Sequence, residues 1–279
     1  MTKQTTRSLG SVSRSTWFAT LAALVAVVSL FTGISLSVIS FNHNNLMAYS
    51  CSNHAISELG FPYASPMTWV FNGAVAVGGL MFLPMLYVLG MNLRMRSGYV
   101  GVGFGFATFL ALSGLGMFGL EQDFLHSQYV FIRYFRIHMA LSGVFFLGWL
   151  ATIAAFTIAF CGRWKESISR VMAIVGIISC LVFPTAMIVS IYSHPMETAL
   201  QKDLTDPAFR ARLAAPTSSP ILSPWLDSHR PHFWWQAFME WCLAWSGFLW
   251  FGTALVFLWT RPKEGVELTP SALDVRPDK

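Results

Sequence analysis

The sequence predicts an all-α, polytopic membrane protein with six transmembrane helices and a short interfacial helix in its last outer loop. Of the 279 residues, 54% are hydrophobic and only 11% are charged, whereas soluble domains carry about 25% charged residues. The apolar residues are gathered in windows of about twenty, enough to cross a ~30 Å hydrocarbon layer as helices. The low charge content therefore reflects separate membrane spans and not one large core.

The predicted spans form one membrane domain over residues 17–260. They are 17–40, 67–91, 98–120, 135–160, 171–193 and 233–260. An N-terminal tail (1–16), an outer insert (194–232) and a C-terminal tail (261–279) lie outside them. The first window follows basic residues as a secretory signal would, but its apolar part is about twice as long as a signal, so we expect it to be retained.

Lysine and arginine predict the orientation. The face that includes both tails carries 12 of them and the opposite face 6, so both termini are predicted to be cytoplasmic. Because the net charge of +5 is spread over short runs beside the spans, nucleic-acid binding is excluded. The four cysteines fall in different segments and predict no disulfide framework.

The outer loop after the first helix contains the run Ile56-Ser57-Glu58-Leu59-Gly60. His54 and Glu58 are four residues apart, so on a helix they share a face and form a candidate metal or proton-relay pair. The alternative is a loop carboxylate that caps backbone amides or binds water. In the second helix, Asn72 is too polar to face lipid and is predicted to point inward, and Pro84 predicts a kink.

The third helix carries small residues at spacings of three and four, or near multiples of these, which let a neighbouring backbone approach closely. We interpret this strip as helix packing, with a dimer contact as the alternative. It consists of Gly98, Gly101, Gly105, Thr108 and Gly119.

A polar rim separates the third and fourth helices. His138 opens the fourth helix, with Ser142 one turn below it as a candidate proton-transfer partner. An ordinary interface histidine is the alternative. The charged residues that the rim places in water are Glu121, Asp123, His126, Arg133 and Arg136.

The insert before the sixth helix contains a helix start signal. Asp206 is a cap and Pro207 fits the first turn, followed by an amphipathic stretch at 208–215 that predicts a short helix at the membrane surface.

The sixth helix holds the most informative pattern. His229, His232, Gln236 and Glu240 are spaced three, four and four, so a helix that begins before His232 aligns them in one stripe. Glu240 then lies roughly 10 Å below the helix start. A carboxylate at that depth costs ~2.5–3.5 kcal/mol unless it is neutral, paired or hydrated, so it should face the bundle interior. A structural pairing of Glu240 with Arg136 or His138 is the alternative to a functional role.

Polar groups are distributed unequally between the two faces. All seven histidines and seven of the thirteen acidic residues fall on the predicted outer side, with Glu240 just beneath. A site of action is therefore expected on that side.

The sequence resembles a family of bacterial and archaeal six-helix membrane proteins, domain of unknown function 998, itself distantly similar to DRAM and Sfk-like proteins. The resemblance rests on the Ile56–Gly60 run, Asn72 with Gly78-Gly79, Gly116-x-Phe118 and His138. It covers residues 17–260 and implies six spans with an outer polar cluster. Gly119 stands where the family pattern has a proline, Glu121 or Asp123 must supply its acid, and the insert is longer. The resemblance also implies the plasma membrane of a prokaryote.

Three function classes follow. The first is binding of a lipid or amphiphile in an outer polar pocket, and the alternatives are a non-catalytic sensor or scaffold and a lipid-modifying enzyme. Transport is disfavoured because the inner halves of the helices hold almost no ionisable groups, and no Gly-x-Ser-x-Gly or His-Glu-x-x-His motif indicates a hydrolase. Membrane lipids are the predicted partners, protein partners stay open, and no cofactor is predicted. The ligand-binding candidates are Glu58, Asn72, Glu121, Asp123, Arg133, Arg136, His138, Gln236 and Glu240, and the weaker metal candidates are His54, His229 and His232.

Overall fold

The computed structural model describes residues 13–44, 48–60, 66–119, 128–192, 202–203, 205–208, 211 and 233–260. Within these ranges the chain forms six long helices, one short 3₁₀ turn and short helical pieces between residues 202 and 211, with no strand. The helices are α1 (Arg14–Asn44), α2 (Thr68–Leu93), α3 (Arg96–Gly119), α4 (Gln128–Cys161), α5 (Ser167–Tyr192) and α6 (Trp235–Thr260). All six are long and apolar enough to cross a membrane. The predicted all-α, six-span architecture is therefore confirmed.

Helix α4 differs most from its predicted bounds. It begins at Gln128, about two turns before the predicted start at residue 135, whereas its apolar part begins at Ile137. The additional turns therefore extend the helix beyond its membrane-spanning part. As a consequence, the backbone of Arg133 and Arg136 is helical and does not belong to a loop.

Each helix packs mainly against its neighbours in sequence, from α1 against α2 to α5 against α6. The centre of the bundle is filled by rings. Phe82 stacks on Phe251 at a centroid distance of 4.1 Å, and Trp149 stacks on Phe251 at 5.2 Å. Trp250 is fully buried beside them.

Glycines bring α3 into close contact with its neighbours. A Cβ on Gly116 would collide with the backbone carbonyl of Asn72, and one on Gly79 would lie 2.7 Å from the Phe109 carbonyl oxygen. Within the predicted strip, Gly101 faces the Phe156 ring and Gly105 faces Leu86. The strip thus packs against α2 and α4 of the same chain, as the packing interpretation predicts.

Helices α1 and α6 meet differently, because their backbones approach closely at only a few points. Aromatic side chains fill the space between them. Phe31 lies 6.1 Å from Trp245 and 5.2 Å from Phe248, measured between ring centroids. Further along, Trp259 donates from Nε1 to Thr20 Oγ1 at 2.9 Å. We call this contact between α1 and α6 the aromatic seam.

The predicted interfacial helix is described only at its start. Ala208 N donates to Asp206 Oδ1 at 2.9 Å, as expected of the Asp cap, and residues 207–208 are helical. Phe209, Arg210 and residues 212–232 lie outside the described residues, so the length of this helix stays a prediction.

The bundle has two chemically different ends. Residues 48–60, which we call the docked loop, lie at one end, the loop end. Each helix carries the chain to the opposite end of the bundle. The α2–α3 turn and the α4–α5 turn therefore lie together at the other end, which we call the basic end. The loop end corresponds to the predicted outer side.

Candidate functional site

The docked loop folds back on itself around Tyr49. The Tyr49 hydroxyl donates to the Ala55 carbonyl at 2.9 Å. The Tyr49 ring stacks on His54 at 4.9 Å, and Phe41 at the end of α1 contacts both rings edge-on. His54 is fully buried. The loop therefore has a small aromatic core of its own, continuous with the end of α1.

The Ile56–Gly60 run forms the 3₁₀ turn, which we call the ISELG turn. The Ala55 amide donates to Glu58 Oε1 at 3.2 Å. This is one half of a capping box, in which an acid at the third position reaches back to the residue before the turn. Because Ala55 has no side-chain acceptor for the other half, the first amides of the turn need an acceptor from elsewhere.

Glu240 of α6 is that acceptor. Ser57 donates to Glu240 Oε2 from its backbone amide at 3.3 Å and from its hydroxyl at 3.1 Å. The Ile56 amide donates to the same carboxylate. None of the described cationic side chains contacts Glu240. A carboxylate inside a membrane-spanning helix is thus held by neutral donors of the docked loop.

Helix α6 holds the docked loop at two further points. Trp241 Nε1 donates to the His54 carbonyl at 3.2 Å, and the Trp234 amide donates to the Ser52 carbonyl at 2.8 Å. The first helical bond of α6 runs from the Phe238 amide to the Trp234 carbonyl. The helix therefore begins after Trp234 and not before His232.

The predicted four-residue stripe is corrected by this start. Only Gln236 and Glu240 lie on α6, one turn apart. Residues 229–232 precede the helix and lie outside the described residues. The physical reason for the later start is that the backbone at Trp234 is bonded to the docked loop.

Helix α2 holds the end of the ISELG turn. Asn72 is 4% exposed and donates from Nδ2 to the Gly60 carbonyl at 3.1 Å, so its predicted inward orientation is confirmed. A Cβ on Gly60 would lie 2.8 Å from Asn72 Oδ1, which explains a glycine here. Leu59 is fully buried against Phe41 and Phe71. Contacts with α1, α2 and α6 thus account for Ile56, Ser57, Leu59 and Gly60, while Glu58 caps the Ala55 amide of the loop itself.

The electrostatics of the loop link its two carboxylates. Burial raises the pKa of Tyr49 well above its usual range, and the negative charges of Glu58 and Glu240 raise it further. The phenol therefore stays protonated and remains the donor to Ala55. Both carboxylates act on the same hydroxyl, so they belong to one polar cluster formed by Tyr49, Ser57, Glu58 and Glu240.

The candidate residues have different outcomes. Glu58, Asn72 and Glu240 come together around the ISELG turn, and Gln236 is half-buried one turn above Glu240. His138 is half-buried near the start of the apolar part of α4. A pocket that joins these residues to the polar rim between α3 and α4 stays a prediction, because the remaining candidates are described by backbone alone or lie outside the described residues. These are Arg133 and Arg136 in the first group, and Glu121, Asp123, His229 and His232 in the second.

Glu58 makes the backbone contact that is the alternative to the metal interpretation of His54 and Glu58. Glu58 caps the Ala55 amide, and His54 Nδ1 lies 2.6 Å from Asn53 Oδ1. Among the described residues, no group of three or more histidine, cysteine or acidic side chains is placed to hold a metal ion.

Three residues at the site were not among the sequence candidates. Ser57 supplies two of the donors to Glu240, Tyr49 carries the perturbed phenol, and Trp241 binds the loop backbone. Ser57 had a signal, because it lies within the Ile-Ser-Glu-Leu-Gly run. Trp241 had no such signal, because nothing in its spacing indicates a hydrogen bond to the loop.

The fold and the cluster define a multi-pass membrane protein with an ordered loop closing one end. The family model described as "Protein of unknown function (DUF998)" matches residues 32–201. The match covers more than half of the chain, which therefore belongs to this family. Neither the curated proteins nor the solved structures show a significant match to the chain.

Proposed function

We propose that this protein binds a lipid or another amphiphile from the outer leaflet, with the polar headgroup at the Glu240 cluster and the acyl chain along the aromatic seam. The proposal places the chain in the plasma membrane of a prokaryote, with both termini in the cytoplasm. The loop end then faces outward.

One observation carries the proposal: a run of rings leads from the polar cluster to the lipid-facing surface. Tyr49 lies 6.2 Å from Trp241, and Trp241 lies 6.5 Å from Trp245. Trp245 then meets Phe31 of the seam and is 53% exposed. Carboxylate and hydroxyl groups at one end and exposed rings at the other match the two ends of an amphiphile. Tyrosine and tryptophan rings are suited to the boundary where such a molecule changes from polar to apolar.

Removing the Trp245 ring should weaken lipid binding. We expect Trp245→Ala to lower the retention of dioleoyl phosphatidylethanolamine, measured by native mass spectrometry of the full chain in a mild detergent, by about tenfold. The tenfold loss corresponds to the lower end of the ~1.5–3 kcal/mol expected for the apolar surface of one large ring. Trp69→Ala is the matched control. Trp69 is 58% exposed in the first turn of α2, at the loop end of the bundle, but takes no part in the aromatic seam.

Equal retention by wild type and Trp245→Ala would contradict the seam as a chain-binding surface. Equal losses in Trp245→Ala and Trp69→Ala would mean that exposed tryptophans contact bulk lipid without a defined site. Only a loss confined to Trp245→Ala supports the proposal.

The orientation has its own test. A membrane-impermeant maleimide applied from outside should label single cysteines introduced at residues 122–128 or 217–219, and should not label cysteines at Ser97 or Ser167 beside the basic end. The asymmetry of 12 against 6 basic residues is the physical reason. If only the Ser97→Cys and Ser167→Cys variants are labelled, the orientation is the reverse of the predicted one and the proposed site lies in the inner leaflet.

A non-catalytic scaffold is the second candidate, and a specific observation favours it. The donors of Ser57 and Asn72 and the acceptor oxygens of Glu58 and Glu240 are engaged in holding the docked loop. In that case the cluster serves to fix the conformation of the docked loop, and the loop is the surface that a partner outside the membrane binds. A lipid-modifying enzyme is a third candidate, for which the cluster supplies acid and hydroxyl groups.

A further inference from the structure

The two turns of the basic end are fixed to each other. Arg163 Nη2 donates to the Leu93 carbonyl at 2.9 Å, which connects the α4–α5 turn to the end of α2. Arg163 Nη1 also lies 3.7 Å from Glu166 Oε1, and Glu166 Oε2 accepts a hydrogen bond from the Ser169 hydroxyl at 2.8 Å. The one acidic side chain of these turns is therefore already used to hold Arg163 in place.

Four further cations surround this connection with exposed side chains. In the described part of the chain, none of the four makes an ion pair. All four lie in the two turns or in the first turn of the helix that follows, so the local field is strongly positive. They are Arg94, Arg96, Lys165 and Arg170, and we call them the basic patch.

The backbone at Arg94 is held in an unusual conformation. Its φ of 50° is in the left-handed region, and among the described residues it is the one non-glycine with positive φ. Its amide donates to the Gly90 carbonyl at 3.3 Å and ends α2. Glycine is the usual residue at such a helix end. Arg94 thus holds a long cationic side chain on a left-handed backbone that is unfavourable for any residue with a Cβ. Strained backbone of this kind is common at binding sites.

Trp164 indicates the depth of the patch in the membrane. It lies at the tip of the α4–α5 turn, directly between Arg163 and Lys165, and is 44% exposed. Exposed tryptophans at the ends of membrane spans lie at the level of the lipid headgroups. The neighbouring cations are then level with the phosphates of the same leaflet.

We propose that the basic patch is a binding site for the headgroup of an anionic phospholipid in the leaflet next to these turns. Basic residues beside membrane spans bind anionic headgroups through charge, and arginine fits phosphate oxygens with paired donors. The connection through Arg163 holds the two turns together before the lipid binds. This site is independent of the lipid site proposed at the loop end, which lies on the other side of the membrane.

The test compares lipids on the full-length protein by native mass spectrometry. We expect wild type to retain phosphatidylglycerol in preference to phosphatidylcholine, and the double variants R94Q/R96Q and K165Q/R170Q each to lower phosphatidylglycerol retention about 30-fold. This follows from about fivefold per charge near the surface. Lys202→Gln is the control, because it removes one cation at the opposite end of the bundle. Each double variant keeps ten of the twelve predicted cytoplasmic cations, so the orientation is retained.

Arg94→Gly keeps the proposal falsifiable if a double variant fails to fold. It removes a charge and relieves the left-handed backbone, so the protein should become slightly more heat-stable while phosphatidylglycerol retention falls about fivefold. Unchanged retention in Arg94→Gly, or equal retention of the two lipids by wild type, would overturn the proposal. Displacement of the lipid by inorganic phosphate at equal concentration would show recognition of free phosphate and would also overturn it.

Discussion

Gly116→Ala should unfold or severely destabilise the bundle. A Cβ at this position meets the backbone carbonyl of Asn72 and the backbone amide of Ala76, and neither atom can move without moving α2. Overpacking typically costs ~1–3 kcal/mol and occasionally more, and we expect the upper end of this range. The measurement is the midpoint of thermal unfolding in detergent, monitored by tryptophan fluorescence or by loss of the monodisperse peak on size-exclusion chromatography.

Gly103→Ala is the matched control for this prediction. Gly103 lies on the same helix, and a Cβ there meets nothing within 4 Å. Because alanine favours a helix over glycine by ~1 kcal/mol, this variant should be as stable as wild type or slightly more stable. Equal stability of Gly116→Ala and Gly103→Ala would contradict the close packing of α3 on α2.

The same substitution connects packing to the candidate site. The Asn72 residue whose carbonyl opposes Gly116 also binds the Gly60 carbonyl through its side chain. Moving α2 away from α3 therefore shifts the group that holds the end of the ISELG turn. We expect variants at Gly116 that destabilise the bundle only partly to loosen the docked loop before the rest of the bundle, because the loop depends on α2 for the contact between Asn72 and Gly60.

The spans and the inward polar residues could be predicted because both follow from local chemistry. A helix that crosses a membrane needs about twenty apolar residues in a row, and such a run is visible without knowledge of its neighbours. Asn72 and Glu240 were predicted to avoid lipid because an unsatisfied polar group is costly there. Neither argument needs to identify the partner, and in both cases the structure places the side chain against protein.

The partners themselves could not be predicted. Ser57 and Glu240 are 183 residues apart, and amide or hydroxyl donors leave no periodic pattern in a sequence. Charge suggested Arg136 or His138 as the partner of Glu240, whereas the described donors are neutral. The start of α4 escaped prediction for a related reason, since residues 128–136 mix polar and aromatic side chains and so lack the apolar pattern that marks a span.

Glu240→Leu should release the docked loop. The substitution removes both acceptor oxygens and leaves the Ser57 amide, the Ser57 hydroxyl and the Ile56 amide without their carboxylate. A buried donor without a partner costs ~1–3 kcal/mol, so the loop should lose ~3 kcal/mol or more of local stability. Hydrogen exchange of peptides within residues 48–60 is the measurement, and we expect it to become at least 100-fold faster while the helices change little.

Glu240→Gln separates a functional role of the carboxylate from a structural one. Both Ser57 donors reach the same oxygen, Oε2, so the glutamine carbonyl can replace it and keep the loop in place, at a cost of ~1–2 kcal/mol. The charge is lost, however, and with it a charge-assisted bond to a headgroup. Under the proposed function, phosphatidylethanolamine retention should therefore fall about tenfold or more, while loop exchange rises only about 5- to 30-fold, well below the increase expected for Glu240→Leu. Asp206→Asn, which removes an exposed carboxylate charge from the insert, should change neither quantity. If Glu240→Gln instead frees the loop and lowers the thermal midpoint while lipid retention stays at the wild-type level, Glu240 is structural and the scaffold alternative replaces the lipid site.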